Sequence, residues 1–288
     1  MTTPANEYLP DKPLREFPWV AFDTETTGLS AASERVVELA AVRYSGHDEK
    51  DANEEFSFLV DPGIPMPPGA QRVHGISDAM VRGRPSLTQV LPDFLDFCAG
   101  AVLIAHNAPF DIGFLAVGLQ RAGLSFPKNP ILDSLELSRA TLTGPPNHKL
   151  ETLVRFLRFP GHEAHRALGD AAMCGRVARR CLEEGNLMDA PLSRALKVGG
   201  SHPGFAAHDI QNLQLPLPLE ALRRALRERA RVTLVCRIYG RDETHAGAAL
   251  AFYKDKRGNT GWIILGDASA PGGERAVRLE HITSVTAA

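Results

Sequence analysis

The 288-residue chain reads as an α/β protein with a small β-rich region behind it, and three observations lead there. Strand-like and helix-like runs alternate from residue 19 to 184. A stretch at 199–218, rich in Gly, Pro, His and Asn, breaks that alternation. Beyond it, short strand-like runs dominate. The expected division is an N-terminal arm at 1–18, an α/β domain at 19–185, a linker at 186–219 and a small β domain at 220–288.

Taken in order, residues 19–24, 35–44 and 55–60 are strand-like and separated by Gly, Ser and Asp, which predicts an antiparallel meander. A proline-rich loop at 62–68 follows, then a helix near 86–98. The apolar run 101–105 suits a buried central strand. A helix over 110–122, a short strand at 130–132, and helices at 149–157 and 166–184 complete the domain. The tail should hold a basic helix at 219–229 and strands at 232–238, 248–253, 262–265 and 276–285. There is no internal repeat.

Composition narrows the class. Hydrophobic residues make up 44% and charged residues 23%, an ordinary globular mixture. No apolar run reaches the roughly 20 residues that span a bilayer, so no membrane partner is expected. The first 18 residues lack an apolar leader core and read as a loose arm. The cysteines at 98, 174, 181 and 236 form no C-x-x-C pair, which disfavours a disulfide framework or a zinc site and makes the cytoplasm the default compartment. Net charge is −2, yet residues 220–288 carry 12 Lys+Arg against 8 Asp+Glu, leaving 20 against 26 before them. An acidic domain binds phosphates only if carboxylates are spent on cations that reverse the local field.

The carboxylates fall where that could happen. Asp23 and Glu25 sit two apart near a strand end, so both face one side. Asp111 opens a helix after the apolar strand, with His106 and Asn107 capping the strand end. Asp170 shares a helical stripe with Cys174, Val177 and Cys181, which points it inward. A buried carboxylate costs several kcal/mol without a partner. His165, five residues before Asp170, reaches the same place only from a preceding loop, which Gly161, His162 and Glu163 would form. A loop histidine with an ordinary pKa near 6.5 can take up a proton at neutral pH.

Three segments together resemble the DEDDh exonucleases, the superfamily of the DNA polymerase III epsilon proofreading subunit. They are Phe22-Asp23-Thr24-Glu25-Thr26-Thr27-Gly28, His106-Asn107-Ala108-Pro109-Phe110-Asp111 and His165-Arg166-Ala167-Leu168-Gly169-Asp170. Val73-His74-Gly75-Ile76 and His148-Lys149-Leu150-Glu151 are also similar to the group. The resemblance implies a ribonuclease H-like fold, a mixed central sheet flanked by helices. It implies two divalent ions, Mg²⁺ or Mn²⁺, held by Asp23, Glu25, Asp111 and Asp170, with Asp111 acting through water. His165 would deprotonate the attacking water. Thr26, Thr27, Gly28, Leu29 and His74 would surround the terminal nucleotide, with Asn107 and Phe110 shaping the site. The expected substrate is a single-stranded 3′ end of DNA. RNA trimming is the rival within the superfamily, and a non-catalytic clamp-bound adaptor is the rival outside it.

Two further resemblances concern the rest of the chain. Gln214-Leu215-Pro216-Leu217-Pro218-Leu219 is similar to bacterial sliding-clamp-binding peptides, which implies Gln214, Leu215, Leu217 and Leu219 as partner contacts. A clamp and a replicative polymerase are the partners this suggests. Gly261-Trp262-Ile263-Ile264-Leu265 and the segment 275–282 resemble WYL domains, small SH3-like β modules, with Ile263 where their tyrosine would be. Arg223, Arg224, Arg227, Arg229 and Arg231 would supply a basic helix for phosphates.

Overall fold

Strand β1 (Trp19–Thr26) is buried on both faces through its first four residues and then only at alternate positions. That is how a central strand looks when its far end opens onto a site. In the computed structural model, which describes residues 10–44, 52–160, 165–200, 204–255 and 260–287, β1 lies in the middle of a mixed sheet. The strand order is β3-β2-β1-β4-β5, with β2 Val36–Tyr44, β3 Ala52–Leu59, β4 Val102–Ala105 and β5 Ile131–Asp133. β1, β2 and β3 form the expected antiparallel meander. β4 and β5 continue parallel to β1. The connection reverses direction between β1 and β4, and in open α/β sheets such a switch point is where ligands gather.

One face of this sheet is covered by α7 (Ala167–Glu184), whose Cys174, Val177, Ala178 and Cys181 pack with Trp19, Ala21, Val102 and Ile104. On another side Phe22 meets Phe94 of α3 (Leu87–Phe97) edge-on at 5.8 Å, and Phe56 of β3 meets it at 5.6 Å. Ser86 and Gln89 close the α3 N-terminus as a capping box. Four helices come in addition to the sequence expectation: α1 (Pro68–His74), α2 (Asp78–Val81), α5 (Ser134–Thr141) and α8 (Leu192–Val198). All are short, and α1 begins at the last residue of the proline-rich loop expected over 62–68. The anticipated helices at 110–122 and 149–157 are α4 (Pro109–Ala122) and α6 (Leu150–Phe156).

The chain divides into two units, Met1–Gly28 with Val36–Ile112 and Pro127–Gly204, and Leu29–Arg35 with Gly113–Phe126 and Phe205–Ala288. Residues of the expected arm and linker pack against neighbouring elements. Within the described part of the arm, Leu14 is fully buried, its N–H donates to the Ala190 carbonyl, and the Leu192 N–H donates to Lys12. Leu14, Leu187, Leu192 and Ala195 all enter the core that α7 shares with the sheet. Residues 186–204 therefore go with the first unit, and 205–219 with the second. The apolar side chains in those stretches are too widely spaced to show a period, yet Leu14, Leu187, Leu192, Ile210 and Leu219 are all buried.

In the second unit α9 (Ala221–Glu228) precedes an antiparallel sheet ordered β10-β6-β7-β8-β9. Its strands are β6 Arg231–Ile238, β7 Arg241–Lys254, β8 Gly261–Gly266, β9 Glu274–Arg278 and β10 Ile282–Ala287. The expected single strand at 276–285 is thus two, broken by a 3₁₀ turn at Leu279–His281, so that β10 returns to pair with β6. Val232, Leu234, Phe252, Ile263, Leu265 and Ile282 form the core, joined by Leu219 and Leu222. Among the described residues no helix is long and apolar enough to cross a membrane.

Candidate active site

Asp23 and Glu25 emerge on the same side of β1, where the register pairs Asp23 with Ala40 and Glu25 with Glu38 of β2. α7 crosses β1 and brings Asp170, in its first turn, to the same place. Ligand oxygens of Asp23, Glu25 and Asp170 all lie within 4.8 Å of one another. Three carboxylates that close repel unless protons or a cation lie between them. Asp23 accordingly has its pKa pushed well above the usual carboxylate range, first by burial and then by Asp111, Asp170, Glu25 and Glu38. Burial, followed by Asp170, raises Glu25 to about 8. Arg166 opposes the rise at Glu25, and a cluster of hard oxygen donors this crowded fits a divalent cation.

Asp111 stands apart from that trio. It is 3% exposed, and its Oδ1 accepts from the Thr24 N–H at 3.0 Å and the Thr24 hydroxyl at 2.7 Å. Burial raises its pKa to about 7 even though both Thr24 hydrogen bonds favour the charged form. Its charge still acts on Asp23.

His165 does lie just before α7, in the left-handed region at φ 65°, with its N–H donating to Asp170 Oδ2 at 3.0 Å. Its exposed ring does not join the carboxylates. Nε2 lies 3.1 Å from Glu151 Oε1 on α6. Gly161, His162 and Glu163, expected to form the loop before it, are outside the described residues.

Two acidic residues of the site have no counterpart in the sequence expectation. Glu38 is 2% exposed; it accepts from both guanidinium ends of Arg166 and from the Ala167 N–H at 3.0 Å, which ties the start of α7 to β2. Asp133 accepts from the N–H groups of Asn107, Ala108 and Leu135, holding the turn after β4 on which Asn107 adopts φ 63°. An isolated Glu in a strand and an Asp before a helix carry no signal of these partners; only the fold supplies them.

The remaining predicted residues divide. Gly75, at φ 74°, ends α1 and lets the Ile76 N–H fold back onto His74 Nδ1 at 3.0 Å. His74 Nε2 is then the protonated nitrogen, buried with no hydrogen-bond partner of good geometry. Burial lowers the His74 pKa, with the Thr26 backbone opposing. Thr26 and Thr27 are buried, Gly28, Asn107 and Phe110 are half-buried, and Leu29 is 87% exposed. Next to Asn107, His106 bonds Ser134 and the His148 carbonyl, and burial lowers its pKa to about 4.

Of the clamp-type peptide, Leu219 belongs to the core of the second unit and Leu215 is packed against it. Leu217, at 89% exposure, and Gln214 face solvent. The basic helix is also partly spent: Arg223 donates to the Leu213 carbonyl, and Arg229 to the carbonyls of Gln120 and Arg121. Arg231 opens β6 and is not helical.

Taken together, the class is an α/β protein in which an oxygen-donor cluster that could hold a metal ion lies at the switch point of a mixed sheet. The family model RNase_T, described as "Exonuclease", matches residues 20–178, more than half of the chain. The chain belongs to that exonuclease family. Over 177 residues it is 40% identical to a "DNA polymerase III PolC-type" protein of Halalkalibacterium halodurans, the match covering 62% of this chain and 12% of that one. It is likewise 40% identical over 177 residues to a "DNA polymerase III subunit epsilon-like protein" of Rhodobacter capsulatus, covering 60% and 25%. The chain thus spans a quarter or less of these relatives. E. coli exonuclease I in complex with a dT13 oligonucleotide is similar in fold, with TM-score 0.53 and 17% identity over 92% of this chain and 64% of that one.

Proposed function

We propose that this chain is a 3′→5′ exonuclease of the DEDDh type, trimming single-stranded 3′ ends of DNA in proofreading or repair. The observation that carries it is the trio Asp23, Glu25 and Asp170, brought within 4.8 Å in a chain of the exonuclease family. Asp23, Glu25 and Asp170 would hold Mg²⁺ or Mn²⁺, and Asp111, one oxygen already taken by Thr24, would contribute through water. When bound, the ions lower the pKa of a water and offset the charge of the phosphodiester. His165 would accept a proton from the attacking water. Because its Nε2 is turned to Glu151, Nδ1 is the atom left to accept, and the Glu151 carboxylate steadies the ring as it becomes charged. His74 offers its Nε2–H to a nucleotide oxygen. Thr26, Thr27, Gly28 and Leu29 line the terminal nucleotide, with Asn107 and Phe110 beside them.

The second unit is read as an SH3-like module because its five strands run as a meander whose last strand closes on the first. A clamp tether is left out: with Leu219 and Leu215 engaged, Gln214 and Leu217 alone offer too little apolar area. The test is digestion of 5′- and 3′-labelled single-stranded DNA, and of matched RNA, with Mg²⁺, Mn²⁺ or EDTA. A ladder of shortened 5′-labelled DNA that EDTA abolishes is the expected result. Cleavage of RNA alone would reassign the substrate, and cleavage of neither would overturn the reading.

A further inference from the structure

A polar cavity of about 430 Å³ opens in the first unit beside the turn that carries Asn107. His106, Asn107, Arg139, Asn147, His148 and Lys149 line it, and none of them is acidic. Arg139 has one acidic neighbour, the exposed Glu136, at 2.6 Å. Such a solvated pair is weak and readily exchanged. Lys149 has no acidic partner among the described residues.

The hydrogen bonds on the walls fix what the two histidines present. Ser138 donates its hydroxyl proton to the Leu135 carbonyl at 2.7 Å, so at 2.9 Å from His148 Nδ1 it must accept. His148 Nδ1 therefore carries a proton, and Nε2 is the nitrogen left for a ligand. His106 must donate from Nε2 to the His148 carbonyl at 3.0 Å and accept at Nδ1 from Ser134 at 2.8 Å. Both its nitrogens are used, and it serves as a strut. The cavity thus presents two cations, of which Arg139 is paired with Glu136, two carboxamides, of which Asn147 accepts from the Lys149 N–H, and one imidazole nitrogen.

The position ties this cavity to the active site through two short stretches of chain. Asn107 lies four residues before Asp111 on the turn that Asp133 pins. Lys149 and Leu150 lie at the start of α6, whose next residue, Glu151, holds His165. A strand leaving the carboxylates along this side passes Arg139 and Lys149, with Glu136 the acidic neighbour of Arg139.

We propose that this cavity is a subsite for a phosphodiester of the bound strand, on the 5′ side of the scissile bond, with Arg139 and Lys149 as its cations. This rests on the nuclease reading for its position in the reaction but not for its chemistry. A guanidinium beside a phosphate gives paired N–H donors, and an ammonium adds a point charge. The carboxamides of Asn107 and Asn147 add neutral donors, so the phosphate is gripped without reference to base identity.

The test uses the full chain with Arg139→Gln and Lys149→Gln combined. Binding of a fluorescent single-stranded 12-mer is measured in EDTA, where no cleavage occurs, across a salt series. The double variant should bind about tenfold more weakly at low salt, and its salt slope should fall by about 1.4, the value for two lost phosphate contacts on a single strand. In Mg²⁺ its KM for the oligomer rises while kcat holds. Hydrolysis of the p-nitrophenyl ester of thymidine 5′-monophosphate, which has no second phosphodiester, should change less than twofold. Unaltered affinity and salt slope would overturn the subsite. So would an equal loss on both substrates, which marks damage to the active site. A native chain inactive on both substrates would defeat the nuclease reading alone, because the binding series still judges the cavity.

Discussion

Glu274 in the second unit and Asp23 in the first are both acidic side chains withdrawn from water, but they are surrounded by opposite charge. Glu274 Oε2 accepts from Arg35 at 2.8 Å and from Arg121 at 2.5 Å, and all three side chains are at most 17% exposed. Asp23 feels Asp111, Asp170, Glu25 and Glu38. The first arrangement is closed, with more positive than negative charge already built in. The second gathers like charges, the arrangement that the proposed cation would neutralise. Glu38 makes the same contrast inside the first unit, because the Arg166 guanidinium and the Ala167 amide satisfy it. Burial alone therefore does not mark a functional carboxylate; the sign of its neighbours does.

The largest test of that distinction is Asp23→Asn. It removes a ligand while keeping shape, so cleavage should drop at least ~10³-fold. Without metal, the same change relieves repulsion, and the melting temperature should rise. The stabilisation by Mg²⁺ should disappear. Retained cleavage, measured on the labelled oligomer, would return Asp23 to the class of solvated carboxylates.

The complementary change is Glu274→Gln, which should lower stability where Asp23→Asn raises it. Two guanidiniums would lose their common counter-ion, and breaking a buried pair costs about 3 kcal/mol. Burial already lowers the Arg121 pKa against the pull of Glu274. Urea denaturation followed by the fluorescence of the two tryptophans, Trp19 and Trp262, reads the effect. A cost below about 0.5 kcal/mol would show that water reaches the triad and that it is no different from a surface pair.

How much of this was legible in the sequence follows from how local each signal is. The spacing of Asp23 and Glu25 on a strand and the helical stripe of Asp170 with Cys174, Val177 and Cys181 are local geometry, and the sheet and α7 realise both. The meander of β1, β2 and β3 is local too. Non-local partners were not legible. Glu38 bonds Arg166 across 128 positions, and Thr24 bonds Asp111 across 87. The engagement of His165 by Glu151, and of Leu219 by the β-module core, has the same origin. Sequence pattern shows which residues can face one way, but not which of them meet.

The smallest effect follows from the same open cluster in the metal-free chain. Glu25 is raised from 4.5 to about 8, Asp111 from 3.8 to about 7, and Asp23 well above 3.8. Between about pH 5 and 8 the folded state therefore binds more protons than the unfolded state, and linkage makes stability fall as pH rises. In EDTA the melting temperature should drop by about 5 °C across that window. Mg²⁺ should recover more at pH 8 than at pH 5.5, since at the lower pH it must displace protons first. Glu25→Gln should flatten the slope, whereas Glu274→Gln should lower the whole curve and leave its slope alone. A metal-free profile already flat in the native chain would mean that the carboxylates are hydrated enough to ionise together, and the contrast between open and closed acidic sites would fail.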